Sequence, residues 1–145
     1  MKKLAWIAAL VFLLDRGSKL LWNRIPETGI TLIPGVLGLT RARNTGMAFS
    51  LFSGRPWLLA VLSIGILAGA FFYLRGKRLS GLTRVGLMMM LGGALGNLWD
   101  RLTLGYVPDM IEFLFVRFAV FNLADAGLVT GCALVMLALL RKEKE

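Results

Sequence analysis

The chain contains no histidine and a single cysteine, Cys132, in 145 residues. Acid–base chemistry must therefore come from carboxylates, amines or hydroxyls. A zinc-peptidase helix of the H-E-x-x-H type and any Ser-His or Cys-His dyad are excluded outright. Cys132 lies in an apolar run and is expected to be a small buried residue, not a nucleophile. Ser18 and Lys19 are sequence neighbours and point different ways on a helix, so they make no dyad. Eight acidic residues remain. Asp15 precedes Lys19 by four positions, the spacing of a helical ion pair, and is read as structural. Glu27 and Glu112 receive no role. Asn97, Asp100 and Arg101 share one helix face at spacings of three and four, an arrangement that serves to end a helix at a membrane surface. Asp109 follows Pro108, whose ring stiffens the backbone just before the carboxylate, in what reads as an outer loop. Asp125 stands in the first turn of an apolar helix, where the helix dipole favours negative charge, with Asn122 placed as N-cap. If the chain between Asp109 and Asp125 doubles back as a hairpin, their carboxyls meet. Two such groups in one site cannot both ionise easily, which is the general acid–base arrangement of aspartic peptidases. On spacing alone, helix capping and surface ion pairs stand beside that reading.

The elements that would hold these residues are set by the medium. With 57% hydrophobic and 17% charged residues, the chain is too apolar for a soluble domain of this length and too short for several domains. The expected architecture is an all-α membrane protein, a single domain over residues 1–145. Its four transmembrane helices run over about 4–22, 57–74, 82–99 and 122–140, each near the ~20 residues that cross a bilayer. Trp6, Trp22, Trp57 and Trp99 fall at the proposed span ends, where interfacial aromatic rings belong. Lys2 and Lys3 could open a signal peptide, but no small-residue cleavage pattern follows, so the first helix is read as retained. Those lysines, the loop with Arg75, Lys77, Arg78 and Arg84, and the tail with Arg141, Lys142 and Lys144 place both termini in the cytoplasm. They account for most of the +9 balance, so nucleic acid is not expected as a partner. Residues 23–56 and 101–121 are rich in turn and β-forming residues, with Leu39, Arg41 and Arg43 alternating against Thr40, Ala42 and Asn44. They predict a small extracytoplasmic sheet. Gly65 with Gly69, Gly92 with Gly96, and Gly127 with Gly131 predict close helix packing.

Four segments, LLDRGSK, RNTGMAFSLF, GGALGNLWDRLTLGYVPDMIEF and FNLADAG, in this order and on this topology, resemble the lipoprotein signal peptidases, or signal peptidase II. The resemblance runs through nearly the whole chain. It implies a four-helix aspartyl endopeptidase with an extracytoplasmic β-cradle in the bacterial cytoplasmic (inner) membrane. Such an enzyme cuts diacylglyceryl-modified prolipoproteins just before the lipidated cysteine. It also implies that Asp109 and Asp125 are the catalytic pair, and that Asn44, Asn97, Asp100, Arg101 and Asn122 line or brace the site. No cofactor or metal is implied. The expected partners are prolipoprotein substrates and membrane lipid, and the chain is expected to act as a monomer. Met47, Arg16, Gly17 and Pro108 depart from the family's usual pattern. Met47, Phe49 and Phe52 are expected to touch the interface, clamp substrate or simply pack. A proton or cation path through the aspartates, and an assembly subunit joined through its glycine-lined helices, are the competing classes.

Overall fold

The computed structural model describes residues 2–46, 52 and 54–142. Four α-helices carry most of the chain: α1 (Ala5–Leu20), α2 (Pro56–Leu74), α3 (Gly81–Thr103) and α4 (Leu123–Lys142). Strands β1 (Ile30–Ile33), β2 (Leu37–Asn44) and β3 (Val107–Phe113) form one antiparallel sheet in the order β1-β2-β3. The helices lie within a few residues of the predicted spans. By length and apolarity, α2 and α4 qualify as membrane-crossing on their own. The other two carry charges inside their sequences, Asp15, Arg16 and Lys19 on α1 and Asp100 and Arg101 on α3. Asp15, Lys19 and Asp100 are turned inward and buried, whereas Leu10, Leu13 and Leu14 of α1 face outward. That distribution suits a helix whose outer surface meets lipid.

Glycines let three of the helices approach closely. An added Cβ at Gly92 would lie 2.5 Å from the Ala8 carbonyl of α1, and one at Gly86 would lie 2.5 Å from the Gly131 carbonyl of α4. A Cβ at Gly127 would meet Val11 at 2.7 Å. The α1–α3–α4 core thus uses the small-residue pairs of α3 and α4 as predicted. On α2 the expectation fails, since Gly65 and Gly69 have nothing within 4 Å of an added Cβ. Helix α2 leans on α3, with a short buried stretch at Leu59 and Ala60. Most of its other residues are exposed. Cys132 is likewise exposed instead of buried, because its face of α4 points away from the core.

At the end of the bundle where α1 and α3 finish, the sheet covers the helices. Trp22, Ile25 and Met110 form its small core with Leu39 and Ile111 packed alongside. Trp22 is therefore not an exposed belt residue: it is 5% exposed and packs under the sheet. Segment 101–121 supplies one strand, β3, to that sheet. After Phe113 the chain runs irregularly until Phe121, which makes an isolated antiparallel bridge to Ile111. The Phe121 N–H donates to the Ile111 carbonyl at 3.0 Å, and the Phe121 carbonyl accepts from Met110 and Ile111 at 3.0 and 2.8 Å. The predicted doubling-back is thus present. Met47 and Phe49 lie outside the described residues, and Phe52 is an exposed residue with φ of 55°.

Candidate active site

Asp109 sits inside β3, not in a loop. Its strand neighbour Pro108 pairs with Arg43, and Asp109 itself pairs with Ala42. Because β3 is the last strand of the sheet, Pro108 removes no ladder donor that a central strand would need. The Asp109 carbonyl accepts from Trp22 Nε1 at 2.9 Å, which fixes the strand against the end of α1. Its carboxyl is held from two sides: Asn44 Nδ2 donates to Oδ2 at 3.0 Å and Asn122 Nδ2 donates to Oδ1 at 2.7 Å. Asn44 is oriented in turn by the Gly46 N–H, which donates to its Oδ1 at 3.0 Å.

Asn122 precedes α4 and caps it. Its Oδ1 accepts from the Asp125 N–H at 2.9 Å, while the Asp125 carboxyl reaches back to the Asn122 N–H at 3.3 Å. This reciprocal pattern is a capping box. The capping reading of Asp125 is therefore correct, and it does not exhaust the residue. Its second oxygen, Oδ1, accepts from Asn97 Nδ2 at 2.7 Å. The residue as a whole is half-buried. Asn122 thus holds both carboxyls at once, Asp109 through its amide and Asp125 through its backbone.

Beneath this pair lies a cluster that local spacing did not disclose. Lys19 Nζ spends its three protons on Asp15 Oδ2 at 2.8 Å, Asp100 Oδ2 at 2.6 Å and Asn97 Oδ1 at 3.3 Å. Asn97 Oδ1 also accepts from Asn122 Nδ2 at 3.1 Å. With two donors on its oxygen, the Asn97 amide can present only its nitrogen to Asp125. Asp15 Oδ1 accepts from the Ala124 N–H of α4 at 3.0 Å. Arg16 Nη2 lies 2.6 Å from Asp100 Oδ1 and 3.1 Å from Asp15 Oδ2. The contact to Asp100 is an ion pair without hydrogen-bond alignment, which leaves that oxygen without a hydrogen-bond donor. Asn97, Asp100 and Arg101 do stand near the end of α3, with Arg101 in its last turn, but Asn97 and Asp100 are 7% and 0% exposed and face inward instead of toward a surface. Asn97 and Asp100 support the site from below. Arg101 reaches over it, donating from Nη2 to the Gly46 carbonyl at 3.2 Å and from Nη1 to the Asn97 carbonyl at 3.4 Å.

All seven residues singled out from the sequence converge, and Asp15, Arg16, Lys19 and Trp22 join them. The Asp15–Lys19 spacing was the one local signal for that second group. Asp109 lies outside the helices, and burial pushes its carboxyl up to about 6, with the negative charge of Asp125 adding to the rise and the Asn44 and Asn122 donors opposing it. A carboxyl that takes and releases a proton near neutrality, beside a second carboxyl, is equipped to activate water and to protonate a leaving group. Among the described residues no group of histidine, cysteine or acidic side chains is arranged to hold a metal ion.

Known proteins share both this sequence and this shape. The family model described as signal peptidase (SPase) II matches residues 7–141. A lipoprotein signal peptidase of Trichormus variabilis is 40% identical over 99% of this chain and 93% of its own. One of Latilactobacillus sakei is 44% identical over 79% of this chain and 76% of its own. A solved bacterial membrane enzyme superposes with a TM-score of 0.89 at 28% identity, covering 99% of this chain and 90% of that one. A second bacterial membrane enzyme gives 0.84 at 29% identity, covering 97% and 94%. With the family pattern spanning nearly the whole chain and the paired carboxyls standing where α4 meets the sheet, the chain belongs to the signal peptidase II family of membrane peptidases.

Proposed function

We propose that this protein is an aspartic endopeptidase that removes the signal peptide from diacylglyceryl-modified prolipoproteins, with Asp109 and Asp125 as its catalytic pair. The observation that carries the assignment is the shared grip of Asn122 on both carboxyls. A water between them gives its proton to one carboxylate as it attacks the scissile carbonyl. The other carboxyl gives its proton to the developing oxyanion. As the resulting diol collapses, the first carboxyl passes the proton it took from water to the leaving amine and the second takes one back from a diol hydroxyl, which restores the pair. Asn44, Asn97 and Asn122 orient the pair, Asp100 braces Asn97 through Lys19, and Arg101 ties the α3 end to the Gly46 backbone. Preformed donors in a partly dry site stabilise developing charge more than water does.

The whole chain is one membrane domain with four crossings, residues 23–56 and 101–121 outside and both termini in the cytoplasm of a bacterial inner membrane. The basic residues of the α2–α3 connection and of the α4 end favour this orientation. In it the site lies at the outer surface, where a signal helix moving within the bilayer delivers its cleavage point at one depth. Restricting both partners to one plane supplies part of the orientation that catalysis requires. The enzyme acts as a monomer and needs no cofactor.

The test is direct. Purified protein incubated with a lipidated precursor peptide should release a fragment that begins at the modified cysteine, identified by mass. Asp109→Asn and Asp125→Asn should each lower the rate by about 10²-fold or more, while both variants still unfold cooperatively. Full activity in either variant removes the pair from the mechanism.

A further inference from the structure

On the strand that pairs with the Asp109 strand, two arginines crowd one indole. Arg41 and Arg43 stand two positions apart on β2, and their guanidinium carbons lie 5.9 and 5.8 Å from the centre of the Trp22 ring. Arg43 is also 5.0 Å from the Tyr106 ring centre, and the two rings are 6.2 Å apart. Stacking on an aromatic face holds a guanidinium while leaving its N–H edge for an anion. Neutralisation from within the chain is slight. Among the described residues the one ion pair to either arginine is Arg41 with Glu27 at 3.4 Å, and that carboxylate is 93% exposed. Arg43 is exposed and has no carboxylate partner among them.

The surroundings say which anion fits. Trp22 follows the outer end of α1, where Leu20 and Leu21 are 79% and 55% exposed. Tyr106 follows the end of α3, where Leu102 and Leu104 are 63% and 48% exposed. The paired rings therefore join two apolar helix ends to a cationic strand. A ligand matching both halves has a phosphate for the arginines and hydrocarbon for the leucines. We infer that Arg41 and Arg43, stacked on Trp22 and Tyr106, form a binding site for the phosphate headgroup of an anionic phospholipid in the leaflet next to the sheet. The inference rests on the membrane placement proposed above. It also has a mechanical consequence, since Trp22 donates to the Asp109 carbonyl and Arg43 pairs with Pro108. A bound headgroup presses on the strand that carries a proposed catalytic carboxyl.

Native mass spectrometry of the full chain released from bilayers of equal phosphatidylglycerol and phosphatidylcholine tests this. The intact protein should retain phosphatidylglycerol over phosphatidylcholine, by about fivefold for each arginine engaged. Arg41→Gln with Arg43→Gln should bring the two lipids to near equality. Arg43→Lys, which keeps the charge, should retain a preference, and Arg78→Gln with Arg84→Gln, in the opposite connection, should leave the preference unchanged. No preference in the intact protein, or an undiminished one in the Arg41/Arg43 double variant, overturns the site. Displacement of the lipid by millimolar glycerol 3-phosphate shows recognition of phosphate without the hydrocarbon, which overturns the lipid assignment. Extraction of the protein by alkaline carbonate is a separate outcome: it denies the membrane placement itself, and the site falls with it.

Discussion

Asp109 is 2% exposed and accepts two hydrogen bonds, and burial still keeps its carboxyl near 6 against an ordinary 3.8. A carboxyl raised in the folded state binds its proton more tightly there than in the unfolded chain. Its stabilising contribution is complete below about pH 4 and is lost as pH rises through 6. Asp109→Asn should therefore unfold at a higher temperature than the parent at pH 7.5, by an amount equivalent to roughly 2–3 kcal/mol, taking about 1.4 kcal/mol for each unit. Near pH 4 the two proteins should coincide. A difference that is the same at both pH values would show that the substitution acts through packing and not through the proton. Asn44 gives a kinetic counterpart. Its Nδ2 donates to the charged form of Asp109, so Asn44→Ala removes a group that holds the carboxyl down. The alkaline limb of kcat/KM should move to higher pH in that variant, read from cleavage rates between pH 5 and 9. A limb that stays in place would separate it from Asp109.

The elements differ in how much of their sequence is committed to contact. Gly92 and Gly86 meet carbonyls of the facing helices, which cannot yield as a flexible side chain does. Gly92→Ala should cost about 1–3 kcal/mol, the range for overpacking a filled interior. Gly69→Ala on α2 meets no atom, and the better helix propensity of alanine should leave stability equal or slightly higher. Denaturant titration of both variants in one detergent compares them, and equal losses would contradict the packing described for α2. Both pairs look alike in sequence, because spacing of four reports which residues share a face and is silent on whether anything lies opposite. The same limit divides the site. Asn122 and Asp125 were legible as a cap because their partners lie within one turn. The doubling-back that brings Asp109 to them was legible as a condition, through the β-forming residues around it. The link from Lys19 to Asp100, 81 positions away, depends on how α1 crosses α3, and no local pattern encodes that crossing.

At the scale of the molecule, three helices are locked together through one buried ionic cluster. Asp15, Arg16 and Lys19 come from α1, and Asp100 from α3, while Asp15 also accepts the Ala124 N–H of α4. Two cations and two carboxylates balance formally, so the cluster itself carries no net charge. Removing one member of such a cluster leaves a buried charge uncompensated, at a cost of about 3–5 kcal/mol. Lys19→Met should lose stability on that scale, and it should also lose cleavage for a second reason, since Asn97 is left with one donor on its oxygen instead of two. The two effects separate in a double variant. Lys19→Met with Asp15→Asn restores formal neutrality, and the new side chain keeps an oxygen for the Ala124 N–H. Thermal unfolding of this protein should recover toward the parent, whereas kcat should stay depressed with KM little changed, because the Asn97 amide no longer has a fixed orientation toward Asp125. Recovery of both unfolding temperature and kcat would show that Lys19 acts by charge balance alone, with the hydrogen bond to Asn97 carrying none of its effect on the pair above.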